Sequence, residues 1–170
     1  MAAAALGLGS NLGNRMVNLR TALKHLEKEF EVLAASDVFE TAPWGVTDQP
    51  HFLNACLLVE CSLPPESLLA LLKDIEKVMG RVETRRWGER VIDLDVLTLG
   101  ALVYESPILR IPHARMHQRD FVLIPLAQVI PGWVHPLTGH SVSEMALDLL
   151  APSDPLRICH LPVKTRGYAR

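Results

Sequence analysis

The residues with the clearest chemical potential are two aspartates in the segment Ile92-Asp93-Leu94-Asp95-Val96. On a β-strand alternate side chains share a face, so both carboxylates would project from one side of a sheet, with their backbones about 7 Å apart. Like charges held side by side repel each other, and a bound cation would relieve that repulsion. Mg²⁺ is the natural candidate, because it binds carboxylate oxygens while keeping positions for water and phosphate. In the alternative interpretation, the two acids are merely solvated at an open edge of the sheet.

An arginine-rich segment lies immediately before this acidic pair. Residues 80–90 hold four arginines, although the whole chain has a formal net charge of only −2. The planar guanidinium suits phosphate oxygens, so arginines beside two carboxylates are typical of a site for a metal-bound polyphosphate. Further along, His113 and Arg119 add side chains that can bind phosphate. Alternatively, the segment is a charged surface loop in which Glu83 and Glu89 neutralise their neighbours.

Aromatic and amide side chains indicate a second, planar ligand. The chain has only nine aromatic residues, and four of them fall in or beside polar loop segments: Trp44, Phe52, Trp87 and Phe121. Their flat faces could stack on a heterocycle. Asn54, set within an apolar strand, could bond to the donor and acceptor edges of such a ring. Core packing of the rings, and a backbone hydrogen bond to the amide, are the alternative interpretations.

Composition limits the classes of protein to consider. With 170 residues, 49% of them apolar and 21% charged, the chain can bury a globular core and is not intrinsically disordered. Its near-neutral charge argues against attachment to nucleic acid or membrane by bulk charge, and no apolar stretch approaches the roughly 18 residues of a membrane span. The absence of a GxxxxGK[ST] sequence excludes a P-loop kinase. Three cysteines without CxxC spacing predict a reduced, cytoplasmic protein.

The elements that must position these residues follow the order β-α-β-β-α-β through residue 99. Strands are predicted over 2–8, 32–40, 52–61 and 91–99, and apolar residues at helical spacing predict helices between Met16 and Phe30 and between Leu68 and Met79. This order predicts a ferredoxin-like α+β sandwich, with an antiparallel sheet and both helices on one face. Additional elements follow, including helices near 121–129 and 141–150. We expect one domain over 1–170, with its core at about 2–150 and an irregular tail over 151–170.

Eight ordered segments of the chain resemble the 6-hydroxymethyl-7,8-dihydropterin pyrophosphokinases of folate biosynthesis. The segments are 8–13 (LGSNLG), 40–45 (ETAPWG), 48–55 (DQPHFLNA), 75–76, 80–81, 86–95 (RWGERVIDLD), 112–113 and 119–126 (RDFVLIPL). Together they cover roughly residues 6–136. Any one of them is a weak signal, whereas RWG-x-R-x-IDLD is specific and the ordered set is very specific.

The resemblance implies transfer of the β,γ-pyrophosphoryl group of MgATP to the pterin hydroxymethyl oxygen, with release of AMP. It implies that Asp93 and Asp95 bind two Mg²⁺ and that, with Arg81 and Arg90, they are the catalytic residues. The positions it assigns to ATP binding are Glu76, Arg85, Arg86, His113 and Arg119. Those it assigns to the pterin pocket are Thr41, Trp44, Phe52, Asn54, Trp87 and Phe121. Both substrates are small molecules, no nucleic acid or membrane partner is implied, and a monomer is expected.

The chain also departs from the family pattern. Lys73 stands where a polar residue is often found, Glu83 falls near a usually basic position, and Glu89 replaces a frequent proline. These departures bear on loop motion and ATP affinity more than on the type of reaction.

Two other functions stay open at this point. A metal-dependent phosphohydrolase could use the same carboxylates, although it leaves the four loop aromatics unexplained. A non-catalytic ferredoxin-like module could bind RNA or a regulatory ligand. RNA binding would call for a basic face and aromatics on central strands, so the net charge of −2 and the loop positions of Trp44 and Trp87 disfavour it.

Overall fold

The computed structural model describes residues 1–43, 45, 47–82, 88–149 and 156–161. Its strands are β1 (Ala2–Ser10), β2 (Val32–Ala35), β3 (Asp37–Thr41), β4 (Phe52–Cys61), β5 (Asp93–Leu99), β6 (Tyr104–Glu105), β7 (Arg110–Ile111) and β8 (Leu156–His160). Its helices are α1 (Arg15–Glu29), α2 (Pro65–Val78), α3 (Asp120–Val129) and α4 (Val142–Leu149), with a 3-10 turn over Met116–Gln118.

Six of the strands form one sheet, in the order β5-β1-β4-β3-β8 with β2 also paired to β4. Every strand pair in it is antiparallel, and β6 pairs with β7 in a separate hairpin. The arrangement confirms the predicted ferredoxin-like α+β fold. Strand β5, which carries the two aspartates, pairs with β1 on one side and forms an edge of the sheet.

Helices α1 and α2 cover one face of the sheet. The Asn14 side chain caps α1 by accepting a hydrogen bond from the Val17 N–H at 3.1 Å. Helix α2 starts at Pro65 and is followed by Gly80, whose φ of +85° suits a glycine just beyond a helix end. The apolar stripes of both helices, represented by Leu23 and Leu72, are buried in one core with β1, β4 and β5. The prediction of both helices on one face is confirmed.

The opposite face of the sheet is covered by α3 and α4. A second, smaller apolar cluster joins Leu123 and Met145 of these helices to Cys56 of β4 and Leu97 of β5. Because side chains alternate along a strand, Asp93 and Asp95 lie on the same side as Leu97, whereas Leu94 is buried in the first core. The α3 side of the sheet is therefore the side on which the candidate site lies.

Two segments differ from the sequence-based expectation. The single strand predicted over 32–40 is broken at Ser36, whose hydroxyl donates to the Asp37 carbonyl at 2.7 Å and accepts from the Cys56 N–H at 2.8 Å. The tail predicted as irregular contains β8, which pairs with β3. The three prolines of the tail, Pro152, Pro155 and Pro162, all lie outside the sequence of this strand. Within the described ranges, none of the helices combines the length and the apolar character needed to cross a membrane.

Candidate functional site

The sheet register sets the two aspartates opposite two glycines of β1. Asp93 pairs with Gly9, and Asp95 pairs with Gly7. As predicted, the residue between the aspartates, Leu94, points into the core and is fully buried. Both glycines line a cavity, and the side chains of Leu97 and Asn54 stand within 4 Å of the positions that a Cβ on Gly7 and Gly9 would take.

This cavity lies between the sheet and α3, and the glycine-containing segment of β1 forms its floor. It encloses about 770 Å³, including the part open to solvent. The predicted site residues that it brings together are Thr41, Phe52, Asn54, Arg90, Asp93, Asp95, Arg119 and Phe121. Both carboxylates of the pair thus share one cavity with residues expected to bind a ring and residues expected to bind phosphate.

A second cavity lies along the outer edge of β5, between α2 and the β6–β7 hairpin. Lys73 and Leu69 of α2, His113, and residues 106–110 line it. Asp95 lines both cavities. Two ligands, one in each cavity, would therefore meet at this carboxylate.

Asn54 is held in one orientation at the floor of the first cavity. Its Nδ2 donates to the Thr41 Oγ1 at 2.6 Å, and both residues are buried. A Cβ built on Gly9 would lie only 2.9 Å from the Asn54 Oδ1, so the absence of a side chain at Gly9 leaves the room that the amide needs. The expectation that Asn54 is a buried amide is confirmed; its hydrogen bond to Thr41 fixes which end of the amide faces Gly9.

Two arginines bind the Asp93 carboxylate, one on each oxygen. Arg81 Nη1 lies 2.6 Å from Oδ1, and Arg90 Nη1 lies 2.9 Å from Oδ2. Burial alone would raise the pKa of Asp93, but the charges of Arg90 and Arg81 outweigh it and hold the pKa below its usual value. Asp93 is therefore ionised at neutral pH.

Asp95 has the opposite electrostatic environment. Burial, followed by the charge of Asp93, raises the pKa of Asp95 above its usual value. Among the described residues, none donates a hydrogen bond to its carboxylate. A cation beside Asp95 would relieve both effects, so the donor chemistry of the pair fits a divalent metal ion. No group of three or more potential metal-ligating side chains occurs in the part of the chain that the structure describes, so the pair would share a metal with oxygens of a ligand or water.

Glu76 and Lys73 of α2 form hydrogen bonds with the backbone of Leu94, at the outer edge of β5 between the two aspartates. The Leu94 N–H donates to the Glu76 Oε1 at 2.6 Å, and the Leu94 carbonyl accepts from the Lys73 Nζ at 3.2 Å. Arg81 also bonds to the Glu76 Oε1, at 2.7 Å. Glu76 is 2% exposed and lines neither cavity. The contribution to ATP binding expected of it from the sequence would therefore be indirect, through the residues that it contacts.

Asn11 links the two loops that border the first cavity. Its Nδ2 donates to the Gln49 Oε1 at 2.9 Å and to the Pro50 carbonyl at 3.1 Å. Its Oδ1 accepts from the Arg90 N–H at 2.9 Å. Asn11 is 2% exposed, and its side chain fixes the positions of both loops relative to β1.

Arg119 and Phe121 line the first cavity beside the aspartates, and His113 lines the second. Burial lowers the pKa of His113, so its ring is neutral at pH 7. The Arg119 Cζ lies 5.6 Å from the centre of the Phe121 ring, within the range of a cation–π contact. Burial also lowers the pKa of Arg119, but a guanidinium keeps its charge at neutral pH. A neutral imidazole and a cation thus flank the acidic pair.

The remaining predicted residues, Trp44, Arg85, Arg86 and Trp87, lie outside the described residues. Site residues that the sequence alone did not single out include Gly7 and Gly9, Gln49, and Lys73. The signal for the glycines was present, since they alternate along β1 as the aspartates do along β5. Lys73 was visible only as a departure from the family pattern, and nothing near it in the sequence points to β5.

The chain was compared with protein families and with known proteins. Residues 5–131 match the family model described as 7,8-dihydro-6-hydroxymethylpterin-pyrophosphokinase. A 2-amino-4-hydroxy-6-hydroxymethyldihydropteridine pyrophosphokinase of Methylorubrum extorquens is 42% identical over 160 residues, which are 93% of this chain and 99% of that protein. The protein of the same name from Aquifex aeolicus is 39% identical over 85% of this chain and 90% of its own length.

Longer proteins contain a similar region. The folic acid synthesis protein FOL1 of Dictyostelium discoideum is 40% identical over 85% of this chain, which spans only 22% of that protein. A solved structure of Plasmodium falciparum wild-type HPPK-DHPS with pteroate matches with a TM-score of 0.74 at 17% identity, over 86% of this chain and 44% of that chain. This structural likeness confirms the fold. Because the family model matches most of the chain and full-length relatives are about 40% identical, the chain belongs to the 7,8-dihydro-6-hydroxymethylpterin-pyrophosphokinase family.

Proposed function

We propose that this chain performs the pyrophosphoryl transfer of its family at the two joined cavities. The family match and the names of the full-length relatives make it an ATP-dependent pyrophosphokinase of folate synthesis. In the reaction, the hydroxymethyl oxygen of 6-hydroxymethyl-7,8-dihydropterin bonds to the β-phosphorus of ATP. The bond from that phosphorus to the α-phosphate oxygen breaks, the alcohol loses its proton, and AMP leaves.

The observation that carries the assignment of residues is the position of Asp95 in both cavities. A transfer between two substrates needs a place where both reacting groups come together. The first cavity has Asn54 and Phe52 for a planar ring, and the second extends along β5 past Lys73 and His113. We assign the pterin to the first cavity and the nucleotide to the second, with the triphosphate reaching the aspartates from the outer edge of β5.

Side chains of the first cavity would bind and orient the pterin. The amide of Asn54, oriented by Thr41, offers hydrogen bonds to the edge of the ring. Phe52 of β4 and Phe121 of α3 line the cavity and offer flat surfaces for stacking. We expect burial of the ring in this cavity to direct its hydroxymethyl group toward the aspartates, which line the same cavity.

Charged side chains around the aspartates would hold the triphosphate. Arg81, Arg90, Arg119 and Lys73 are described cations whose charges act on the pair, and each arginine offers several N–H donors to phosphate oxygens. His113, neutral at pH 7, can accept or donate one hydrogen bond there without adding charge. We also assign Arg85, Arg86, Trp44 and Trp87 to this reaction, on the resemblance to the family alone. Residues that enclose the site also exclude water, which favours transfer over hydrolysis.

The residues present fit magnesium, and we propose that Asp93 and Asp95 hold two Mg²⁺ together with ATP. When bound, Mg²⁺ would neutralise the negative charge that develops on the phosphate oxygens. Asp93 is already ionised, whereas a cation near Asp95 would lower the raised pKa of that carboxyl. We further propose that the protein acts as a monomer in the cytoplasm, which agrees with the three free cysteines.

The products of ATP turnover test the proposal. The protein is incubated with ATP and Mg²⁺, with and without 6-hydroxymethyl-7,8-dihydropterin, and the nucleotides are separated by chromatography. We expect AMP to form only when the pterin is present, in an amount equal to the pterin diphosphate. ATP loss that does not depend on the pterin, or ADP as the product, would favour a phosphohydrolase or an ordinary kinase instead.

A further inference from the structure

One oxygen of Glu76 binds three donors at the outer edge of β5. The Glu76 Oε1 accepts from the Leu94 N–H at 2.6 Å, from Arg81 at 2.7 Å and from the Lys73 Nζ at 2.8 Å. The side chain is 3% exposed, so its charge cannot be solvated by bulk water. Burial raises the pKa of Glu76 even with both cations beside it. The ionised carboxylate therefore depends on these two cations.

Of the two cations, only Arg81 also binds an aspartate of the site. Its Nη1 lies 2.6 Å from the Asp93 Oδ1, as well as 2.7 Å from Glu76. Lys73 belongs to α2, and it is anchored a second time by the Leu94 carbonyl at 3.2 Å. Arg81 follows Gly80, just beyond the end of that helix. Lys73 is thus anchored by Glu76 and by the backbone of β5, whereas Arg81 divides its contacts between Glu76 and the site residue Asp93.

A cation held by Asp93 would compete with its two arginines, Arg81 and Arg90, for the carboxylate. Arg81 would then either stay on Glu76 or move to the negatively charged triphosphate. Departure of the only counter-ion from a buried carboxylate is strongly unfavourable. Because Lys73 already neutralises Glu76, the departure of Arg81 leaves no buried charge without a partner.

We propose that Lys73 is a positioning residue that keeps Glu76 neutralised, so that Arg81 can leave Glu76 and Asp93 to bind the triphosphate. This inference rests on the proposed function, because it assumes that ATP binds beside the aspartates. Lys73 also lines the second cavity, so direct contact with the nucleotide is the competing explanation that the test must separate.

The test is a double-mutant cycle between Lys73 and Glu76, measured by steady-state kinetics of AMP formation. Lys73→Met keeps the aliphatic stem and removes the charge, and Lys73→Arg keeps the charge. Each is made in the wild-type and in the Glu76→Gln background. Lys77→Met is the matched control, since Lys77 lies on the same helix with a 75% exposed side chain and pairs with the exposed Asp74.

We expect Lys73→Met to lower kcat about tenfold or more, which raises the barrier by about 1.4 kcal/mol or more. The KM for the pterin should change little. Lys73→Arg should restore kcat to within about threefold of the wild type, which corresponds to a difference of about 0.6 kcal/mol in the barrier. Lys77→Met should leave both constants unchanged. In the Glu76→Gln background, where no buried charge needs a counter-ion, Lys73→Met should cost less than about twofold, since the two sites are then uncoupled.

Three results would overturn the inference. They are an unchanged kcat in Lys73→Met, an equal loss in both backgrounds, and a loss confined to the KM for ATP; the last two would indicate direct contact between Lys73 and the nucleotide. If Lys73→Met does not fold, Lys73→Gln takes its place, since it keeps a donor for the Leu94 carbonyl, and the same outcomes apply. Failure of the wild type to form AMP would instead refute the proposed function.

Discussion

Asn11 and Arg90 bond to each other twice. The Arg90 N–H donates to the Asn11 Oδ1 at 2.9 Å, and the Asn11 N–H donates to the Arg90 carbonyl at 3.2 Å. Arg90 in turn binds Asp93, and the Asn11 amide nitrogen holds Gln49 in the first cavity. Through this pair, the turn after β1 fixes the positions of an arginine that we propose to bind phosphate and of Gln49, which lines the cavity proposed for the pterin.

Asn11→Ala should therefore lower kcat and raise the KM for the pterin. It removes the bonds to Gln49, Pro50 and the Arg90 N–H, and groups left buried without a partner cost about 1–3 kcal/mol each in stability. Asn11→Asp keeps the acceptor for the Arg90 N–H, but it places a buried carboxylate oxygen against the Gln49 Oε1 and the Pro50 carbonyl, so its kinetic defect should be at least as large. Steady-state kinetics and thermal unfolding measure both effects.

Asn14→Ala is the control for this prediction. It removes the cap of α1, worth about 1 kcal/mol, and touches neither loop. It should lower Tm without changing kcat or KM. If Asn11→Ala behaved in the same way, the bonds of Asn11 would matter for stability alone.

The two aspartates should have opposite effects on stability when they are neutralised. Asp93→Asn weakens ion pairs with Arg81 and Arg90 and should cost about 1–3 kcal/mol, less than the usual cost of breaking a fully buried pair, because the Asp93 side chain is 23% exposed. Asp95→Asn removes a buried charge that Asp93 repels, so it should raise Tm at pH 7. Both variants should lose activity. A fall of Tm in Asp95→Asn would contradict the electrostatic account.

The pH dependence of these two effects follows from the directions of the pKa shifts. Asp93 has a lowered pKa when folded, so its contribution to stability is present above the unfolded pKa of about 3.9 and is lost as pH falls through the folded pKa. Asp95 has a raised pKa, so its penalty appears as pH rises from about 3.9 and is complete above the folded pKa. In acid, both variants should therefore approach the wild type in Tm. Unfolding scans from neutral pH to well below the unfolded pKa of about 3.9 would check the convergence.

Gly9→Ala should selectively weaken pterin binding. The added Cβ would lie 2.9 Å from the Asn54 Oδ1, closer than real contacts allow, so the amide must move away from its orientation on Thr41. The KM for the pterin should rise by about tenfold, as expected when a polar contact to a ligand is lost, while the affinity for ATP stays the same. Gly132→Ala is the control, because a Cβ there meets nothing within 4 Å. Equal losses of pterin and ATP affinity in Gly9→Ala would refute the role of the glycine.

Local pattern was enough to predict the core of the fold and the acidic pair. The alternation around Leu94 predicted that Asp93 and Asp95 share a face, and the helical spacing of apolar residues predicted α1 and α2. The break at Ser36 was not predictable in this way, because it depends on a hydrogen bond to Cys56 on another strand. Strand β8 likewise depends on pairing with β3, which lies more than a hundred residues earlier.

Long-range contacts explain the parts of the site that the sequence did not reveal. The position of Asp95 in two cavities arises because α2 and the β6–β7 hairpin both pack along β5. Lys73 meets Leu94 across 21 residues of chain, and Asn11 meets Arg90 across 79. No local periodicity relates such pairs, so only the folded chain shows that they meet.

Metal binding at the paired carboxylates tests the central claim most directly. Calorimetric titration of Mg²⁺ into the protein, in the presence of a nonhydrolysable ATP analogue, would compare the wild type with Asp93→Asn and Asp95→Asn. The account predicts binding of two ions to the wild type and loss of at least one ion in each variant, with both variants still folded. Unchanged Mg²⁺ binding in both variants would show that the aspartates of β5 do not hold the metal.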